Sequence, residues 1–329
     1  MSPWVDVGLF RLVESSARES MKGAFMALRI RGLIPLVIFP VIIFPVMIFP
    51  LVIFLVQITT AVRCAAAEQP PEKPRPKRVL LLGQRPDGHP KSTHEYMTGV
   101  RLIARCLQDR GHLQVIVVQA DTPWNEGPEL LDAADGVVLY LSEGAKWLSE
   151  DPARLAAFQR VAKRGGGLAV LHWGMGTKEA APIENFVALF GACHGGPDRK
   201  YKVGDFLISP TPLAHPVTRG LRPLNVHDEL YYQLKRSPSI PGFTPLMTTR
   251  VQDVEYPVAW GWERPDQGNS FGFSGLHFHE NWRRPEYRRL ILQGILWTLK
   301  EPIPEEGLTF EVDDKDLALP ETTAPVDER

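Results

Sequence analysis

The sequence predicts an α/β fold: a doubly wound, mostly parallel sheet with helices on both faces and a strand-rich second half. Three observations carry the prediction. From Arg78 onward, short and uniformly apolar runs alternate with stretches of helical periodicity. Strands that are apolar on both alternating faces are buried on both sides, and strands separated by helices are most simply parallel through right-handed crossovers. Finally, the run Leu168-Ala-Val-Leu171 follows three glycines and ends on His172-Trp173-Gly174. A strand-to-turn elbow with a small residue two positions on is where such sheets raise a reactive side chain.

The elements follow in order. Arg78–Gly83 is a strand, and Thr93–Arg110 carries Met97, Val100, Ile103, Ala104 and Leu107 at helical spacing, with Gly111 as its stop. Leu113–Val118 and Gly136–Tyr140 are strands. Asp151 caps a helix opened by Pro152, whose buried face is Leu155, Phe158, Val161 and Ala162. After the elbow, Asp205–Ile208, Asp228–Gln233, Val254–Trp262 and Ser270–Phe278 read as extended, and Pro285–Leu299 is a last helix ended by Pro302. The domain is bounded at residues 78–303, after a proline-rich linker at 68–77. An acidic tail at 304–329, nine acidic against two basic residues, is expected to be solvated.

Residues 1–67 form a separate targeting segment. Gly32–Val62 holds no charged residue and repeats a five-residue unit ending in proline, while Lys22, Arg29 and Arg31 precede it. The positive-inside rule then sends the following domain across a membrane, so export is expected: periplasmic, extracellular or anchored. Two fates stand open, cleavage after the Ala-Ala-Ala ending at Ala67 as a signal peptide, or retention as a transmembrane anchor. The membrane is expected to be touched only through this segment.

Composition limits the partners. Of 329 residues 44% are hydrophobic, and 37 Lys and Arg nearly balance 38 Asp and Glu. No basic domain or stripe suits nucleic acid, so a small, neutral molecule is the expected ligand. Two cysteines lie in the domain. Cys106 falls in the first helix and reads as a small buried hydrophobe, while Cys193, beside His194 in a glycine-rich loop, leaves a reactive thiol as a remote option.

Two further stretches carry chemistry. His227-Asp228-Glu229-Leu230-Tyr231-Tyr232 gathers a base, two carboxylates and two phenols, either as a site or as a charged sheet edge over buried tyrosines. Leu276-His277-Phe278-His279-Glu280-Asn281-Trp282 places two histidines on one face of an extended chain, at a spacing metal ligands often have. Strand histidines are also common as hydrogen-bonded structural groups.

The elbow Leu171-His172-Trp173-Gly174, the turn Ala214–Gly220, Asp228-Glu229-Leu230-Tyr231 and Leu276–Glu280 ahead of a helix ending Ile295-Leu296-Trp297 together resemble ThuA-like (trehalose-utilisation) proteins, from about Lys77 to Ile303. That resemblance implies a class I glutamine amidotransferase-like fold and a role in the use of sugars or keto-sugars, disaccharides such as trehalose among them. Against amidotransferases, His172 stands at the nucleophilic cysteine, His279 at the triad histidine and Asn281 at the glutamate. Thiol chemistry on an amide is therefore excluded at this elbow.

The leading expectation is an exported enzyme acting on a sugar. His172, His279 and Glu229 are the catalytic candidates, with Trp173, Asp228, Tyr231, Asn281 and Trp282 binding substrate. If a divalent metal such as zinc is the cofactor, His172 and His279 are its ligands, with His277 or His194 as a third. The alternative is a non-catalytic sugar-binding or scaffold module on a triad-less fold. Turnover and metal content separate the two. Composition leaves the oligomeric state open.

Overall fold

The computed structural model describes residues 75–236 and 240–320. The targeting segment 1–67 lies outside them, and among the described residues no helix is long and apolar enough to cross a membrane. The first half alternates β1 (Lys77–Gly83), α1 (Tyr96–Leu107), β2 (Leu113–Gln119), α2 (Gly127–Asp132), β3 (Gly136–Leu139), α3 (Gly144–Glu150), α4 (Pro152–Lys163) and β4 (Gly167–Leu171). A short pair, β5 (Gly176–Thr177) and β6 (His194–Gly195), brackets α5 (Ile183–Phe190). Then come β7 (Lys200–Pro210), β8 (Leu224–Tyr232), β9 (Phe243–Val251), β10 (Val254–Glu263), β11 (Asn269–Phe273) and α6 (Pro285–Thr298).

Nine strands form one sheet in the order β2-β1-β3-β4-β11-β10-β9-β7-β8. The five from β2 to β11 are parallel and the rest antiparallel. Alternation along the parallel strands explains why both faces are covered. Val79 and Leu81, with Val138, Ala169 and Leu171, face α1 and α6. Leu80 and Leu82, with Val137, Leu168 and Val170, face the layer that includes Phe158 and Phe186. Asp151 caps α4 as expected, its Oδ1 accepting from the Ala153 and Arg154 amides at 2.8 and 3.2 Å.

Three expectations change. The strand expected over Ser270–Phe278 stops at Phe273, and Leu276 turns the chain with φ 85°. The helix expected from Thr93 starts at Tyr96, because residues 92–94 pair instead with 277–279: the His94 amide donates to the His277 carbonyl and the His279 amide to that of Ser92. The tail is no solvated extension over its described part. Phe310 and Leu317 are buried, the Arg288 side chain donates to the Phe310 carbonyl, and Gln293 accepts from the Leu308 amide. Its apolar residues, sparse among the carboxylates, join the core that α1 and α6 share. Strand β9 and helices α2, α3 and α5 carried no periodic signal long enough to read.

Candidate functional site

The elbow is built as the sequence predicts. β4 ends at Leu171, and His172 takes a left-handed backbone, φ 47°, before a single helical turn over His172–Met175. A conformation this sparsely populated in non-glycine residues costs about 1–3 kcal/mol and clusters at functional sites. Gly174 is needed because a Cβ there would stand 2.9 Å from the Leu139 carbonyl oxygen. His172 is fully buried, and its Nδ1 lies 2.8 Å from the Ser274 carbonyl oxygen at the end of β11.

Three segments bring ligand-type atoms to this ring. His94, from the loop after β1, has its Nε2 at 3.1 Å from His172 Nε2. His277 Nδ1 is 3.0 Å from the former and 3.3 Å from the latter. Glu229 Oε1, on β8, is 3.9 Å from His172 Nε2 and 3.8 Å from His277 Nδ1. The four atoms lie within 4.8 Å of one another. The Tyr231 hydroxyl reaches His172 Nε2 at 3.1 Å, and its ring stacks between those of His172 and His194.

Partners behind the rings fix their tautomers. A carbonyl oxygen only accepts, so His172 Nδ1 carries the proton and Nε2 presents a lone pair. Asp87 Oδ2, 3.0 Å from His94 Nδ1, imposes the same on His94, and it also accepts from the Tyr96 hydroxyl at 2.8 Å. Burial holds the His172, His94 and His277 imidazoles below the usual histidine range, His277 at about 4, so all three stay neutral. Glu229 moves the other way, pushed up to about 7 by burial and by the neighbouring Asp228 charge.

A cavity of about 180 Å³ opens onto this cluster. His94, Glu229 and Tyr231 line it together with the aromatic rings of Trp173, His194 and Tyr201, and His89, Lys178 and Arg199 add basic groups.

Of the residues singled out from sequence, His172, His277, Glu229, Tyr231, Trp173 and His194 come together here. His279 does not join them: its Nε2 faces the Leu317 carbonyl at 3.1 Å. The turn after Phe273 breaks the period-2 alternation, so His277, not its neighbour two residues on, meets the elbow. His194 lines the wall but is absent from the four-atom cluster. Asp228 is not open to substrate. Fully buried, it accepts from the amides of Glu229, Leu276 and His277 and from the Tyr287 hydroxyl, and burial raises its carboxyl to about 6. Asn281 donates to the His227 carbonyl, and Trp282 is fully buried core.

Sequence reasoning missed His94 and Asp87. The signal available was Asp87-Gly-His-Pro-Lys-Ser-Thr-His94 at the carboxyl end of β1, the edge where ligands of such sheets bind. The cysteines are out of play. Cys193 is fully buried, donates to the Met175 carbonyl and has its thiol pushed up by burial; Cys106 is held as a thiol at about 11 for the same reason.

Comparison with known proteins agrees with this architecture. Two ThuA-like protein structures align over most of the chain. The one from Bacteroides uniformis ATCC 8492 is 14% identical with a TM-score of 0.52, covering 71% of this chain and 95% of that one. The one from Parabacteroides merdae ATCC 43184 is 14% identical with a TM-score of 0.51, covering 75% and 100%. A glutaminase domain of Trypanosoma brucei CTPS is more distant, 9% identical at a TM-score of 0.41 over 71% and 100%. A search of curated proteins finds no match to the sequence. Residues 78–298 match the family model described as trehalose utilisation, and the chain belongs to that ThuA family.

Proposed function

We propose that this protein is an enzyme of sugar or keto-sugar utilisation whose reacting centre is a divalent metal, such as zinc, held by His94, His172, His277 and Glu229. One observation carries the reading: three imidazole nitrogens stand 3.0–3.3 Å from one another, two of them fixed as lone pairs by acceptors behind their rings. Nitrogens each about 2.0–2.1 Å from one tetrahedral ion are roughly 3.3 Å apart, so the triangle fits a shared metal, and neutral imidazole with carboxylate is a donor set zinc accepts. When bound, such a metal supplies Lewis-acid polarisation of a sugar carbonyl or hydroxyl oxygen. The chain's own groups do the rest. Trp173 and Tyr201 offer aromatic faces for the apolar face of a sugar ring, and the Tyr231 hydroxyl can donate a hydrogen bond beside the reacting oxygen.

Metal analysis of the purified protein tests this. About one equivalent of metal per chain is expected, lost in His172→Ala and in His277→Ala along with sugar turnover. A metal-free protein would instead have Tyr231 donating to His172 and His277 donating to His94, and it would leave acid/base work or sugar binding alone as the reading. Export is proposed with this function, supported by the uncharged run after Arg31; fractionation that finds the full chain in the cytoplasm would overturn it.

A further inference from the structure

The cavity is electrically lopsided. Its lining joins His94 and the 13%-exposed Glu229 of the cluster to two full cations, Arg199 and the 64%-exposed Lys178. The small β5–β6 pair places both. Thr177 is opposite Gly195 in parallel register, and the Gly196 amide donates to the Thr177 carbonyl at 3.2 Å. Lys178 is the next residue along one chain, and the Arg199 guanidinium rests on the other, donating to the Gly196 carbonyl at 3.2 Å. Both cations are therefore anchored to one bridge.

Among the described residues Arg199 has no charged partner. Among the described residues no carboxylate lies within 4.0 Å of it, and its other neighbour is the Trp173 ring, 5.8 Å from guanidinium carbon to ring centre. Lys178 pairs with Glu143 at 2.9 Å, but its side chain is 64% exposed. Such a pair is worth about 0–1 kcal/mol and yields easily to a better partner. Tyr201, two residues beyond Arg199, lines the cavity while more than half exposed.

We infer that the ligand of this cavity is an anionic sugar of monosaccharide size, its carboxylate or phosphate held by Arg199 and Lys178. Its ring then lies between Trp173 and Tyr201, and its reacting oxygen points to the histidine–glutamate cluster. A neutral sugar offers the guanidinium single hydroxyl acceptors and leaves its charge unbalanced, whereas a carboxylate or phosphate accepts two parallel N–H bonds from it. The assignment of the reacting end rests on the function proposed above; the anion seat does not.

Calorimetric titration of the purified full-length protein with D-glucose, D-glucuronate and glucose 6-phosphate separates the possibilities. At least one anion is expected to bind tenfold or more tightly than glucose, and the better of the two identifies the acid group. Arg199→Gln should abolish that preference, Arg199→Lys should restore part of it, and Lys178→Gln should weaken it less. Equal affinity for all three sugars, a preference kept in Arg199→Gln, or no anion binding at millimolar concentration overturns the inference. Metal content measured on the same samples keeps the two readings apart. Anion preference without metal refutes the metal centre alone, and metal without anion preference refutes the anion seat alone.

Discussion

His94 Nε2 and His172 Nε2 face each other at 3.1 Å, although 78 residues separate them in the chain. Each ring is turned by its outer nitrogen, one against Asp87 and the other against the Ser274 carbonyl, so two lone pairs meet in a buried space. Two lone pairs repel unless a cation or a proton stands between them. Removing a shared metal should then be felt by the whole fold. A ligand present at a hundredfold excess over its Kd stabilises by about 2.7 kcal/mol, or roughly 5–10 °C in Tm for a domain of this size. Dialysis against a strong chelator should lower Tm by that amount and re-addition of zinc should restore it. An unchanged Tm would argue against the shared ion.

Asp87 touches no substrate in this arrangement; it positions His94. Asp87→Asn removes the carboxylate that holds the Nδ1 proton and lets the ring present the wrong nitrogen. Loss of such a supporting group typically weakens metal binding by about 10–100-fold. Chelator competition should show that loss, with Tm in excess metal close to the parent value. An unaltered affinity would leave Asp87 to the Tyr96 hydroxyl and to His89.

Asp228 should matter for stability rather than for substrate. It ties the Leu276–His277 backbone and Tyr287 to β8, so Asp228→Ala leaves several buried donors without an acceptor. The expected cost is about 3 kcal/mol or more, read as a lower denaturation midpoint. Asp228→Asn, which keeps one acceptor oxygen, should cost less. Equal stability of the alanine variant and the parent would mean that water replaces the carboxylate.

The parallel half of the fold was legible because its strands are buried on both faces, which turns each into an unbroken apolar run. His172 was legible from the same cause, since the elbow is a local consequence of the strand and of Gly174. The rest of the site is not local. His94 sits in a polar loop with no periodicity, and only the pairing of residues 92–94 with 277–279 brings it in. The resembled fold favours His279 over His277, because His279 stands at its triad histidine, but the left-handed Leu276, which ends the strand reading there, brings His277 to the elbow instead. Trp282 and Asp228 have the composition of a binding site, but both are completely buried.

Thiol chemistry should be absent. Cys193 has no exposed surface, and its S–H is held by the Met175 carbonyl, so a maleimide should label it only in denaturant, while half-buried Cys106 labels slowly in the native state. Glutamine should release no ammonia. Ammonia release that vanished in Cys193→Ser would reverse this conclusion.

His215 gives the fold a sensitivity to acid away from the cavity. Its Nδ1 accepts from the Val217 amide at 3.2 Å, and its ring packs edge-on to Trp297. Burial, then the Arg219 charge, lower its pKa to about 4, below the roughly 6.5 of a free imidazole. The folded state therefore binds fewer protons than the unfolded chain between those values. The stabilisation is complete above pH 6.5 and is lost progressively as the pH falls towards 4. His215→Asn keeps an acceptor for the Val217 amide but cannot titrate. Its Tm should fall less steeply than the parent's between pH 6.5 and 4, and the difference between the two curves isolates His215 from the other groups that titrate there. Parallel curves would show that the His215 ring gains its proton without opposing the fold.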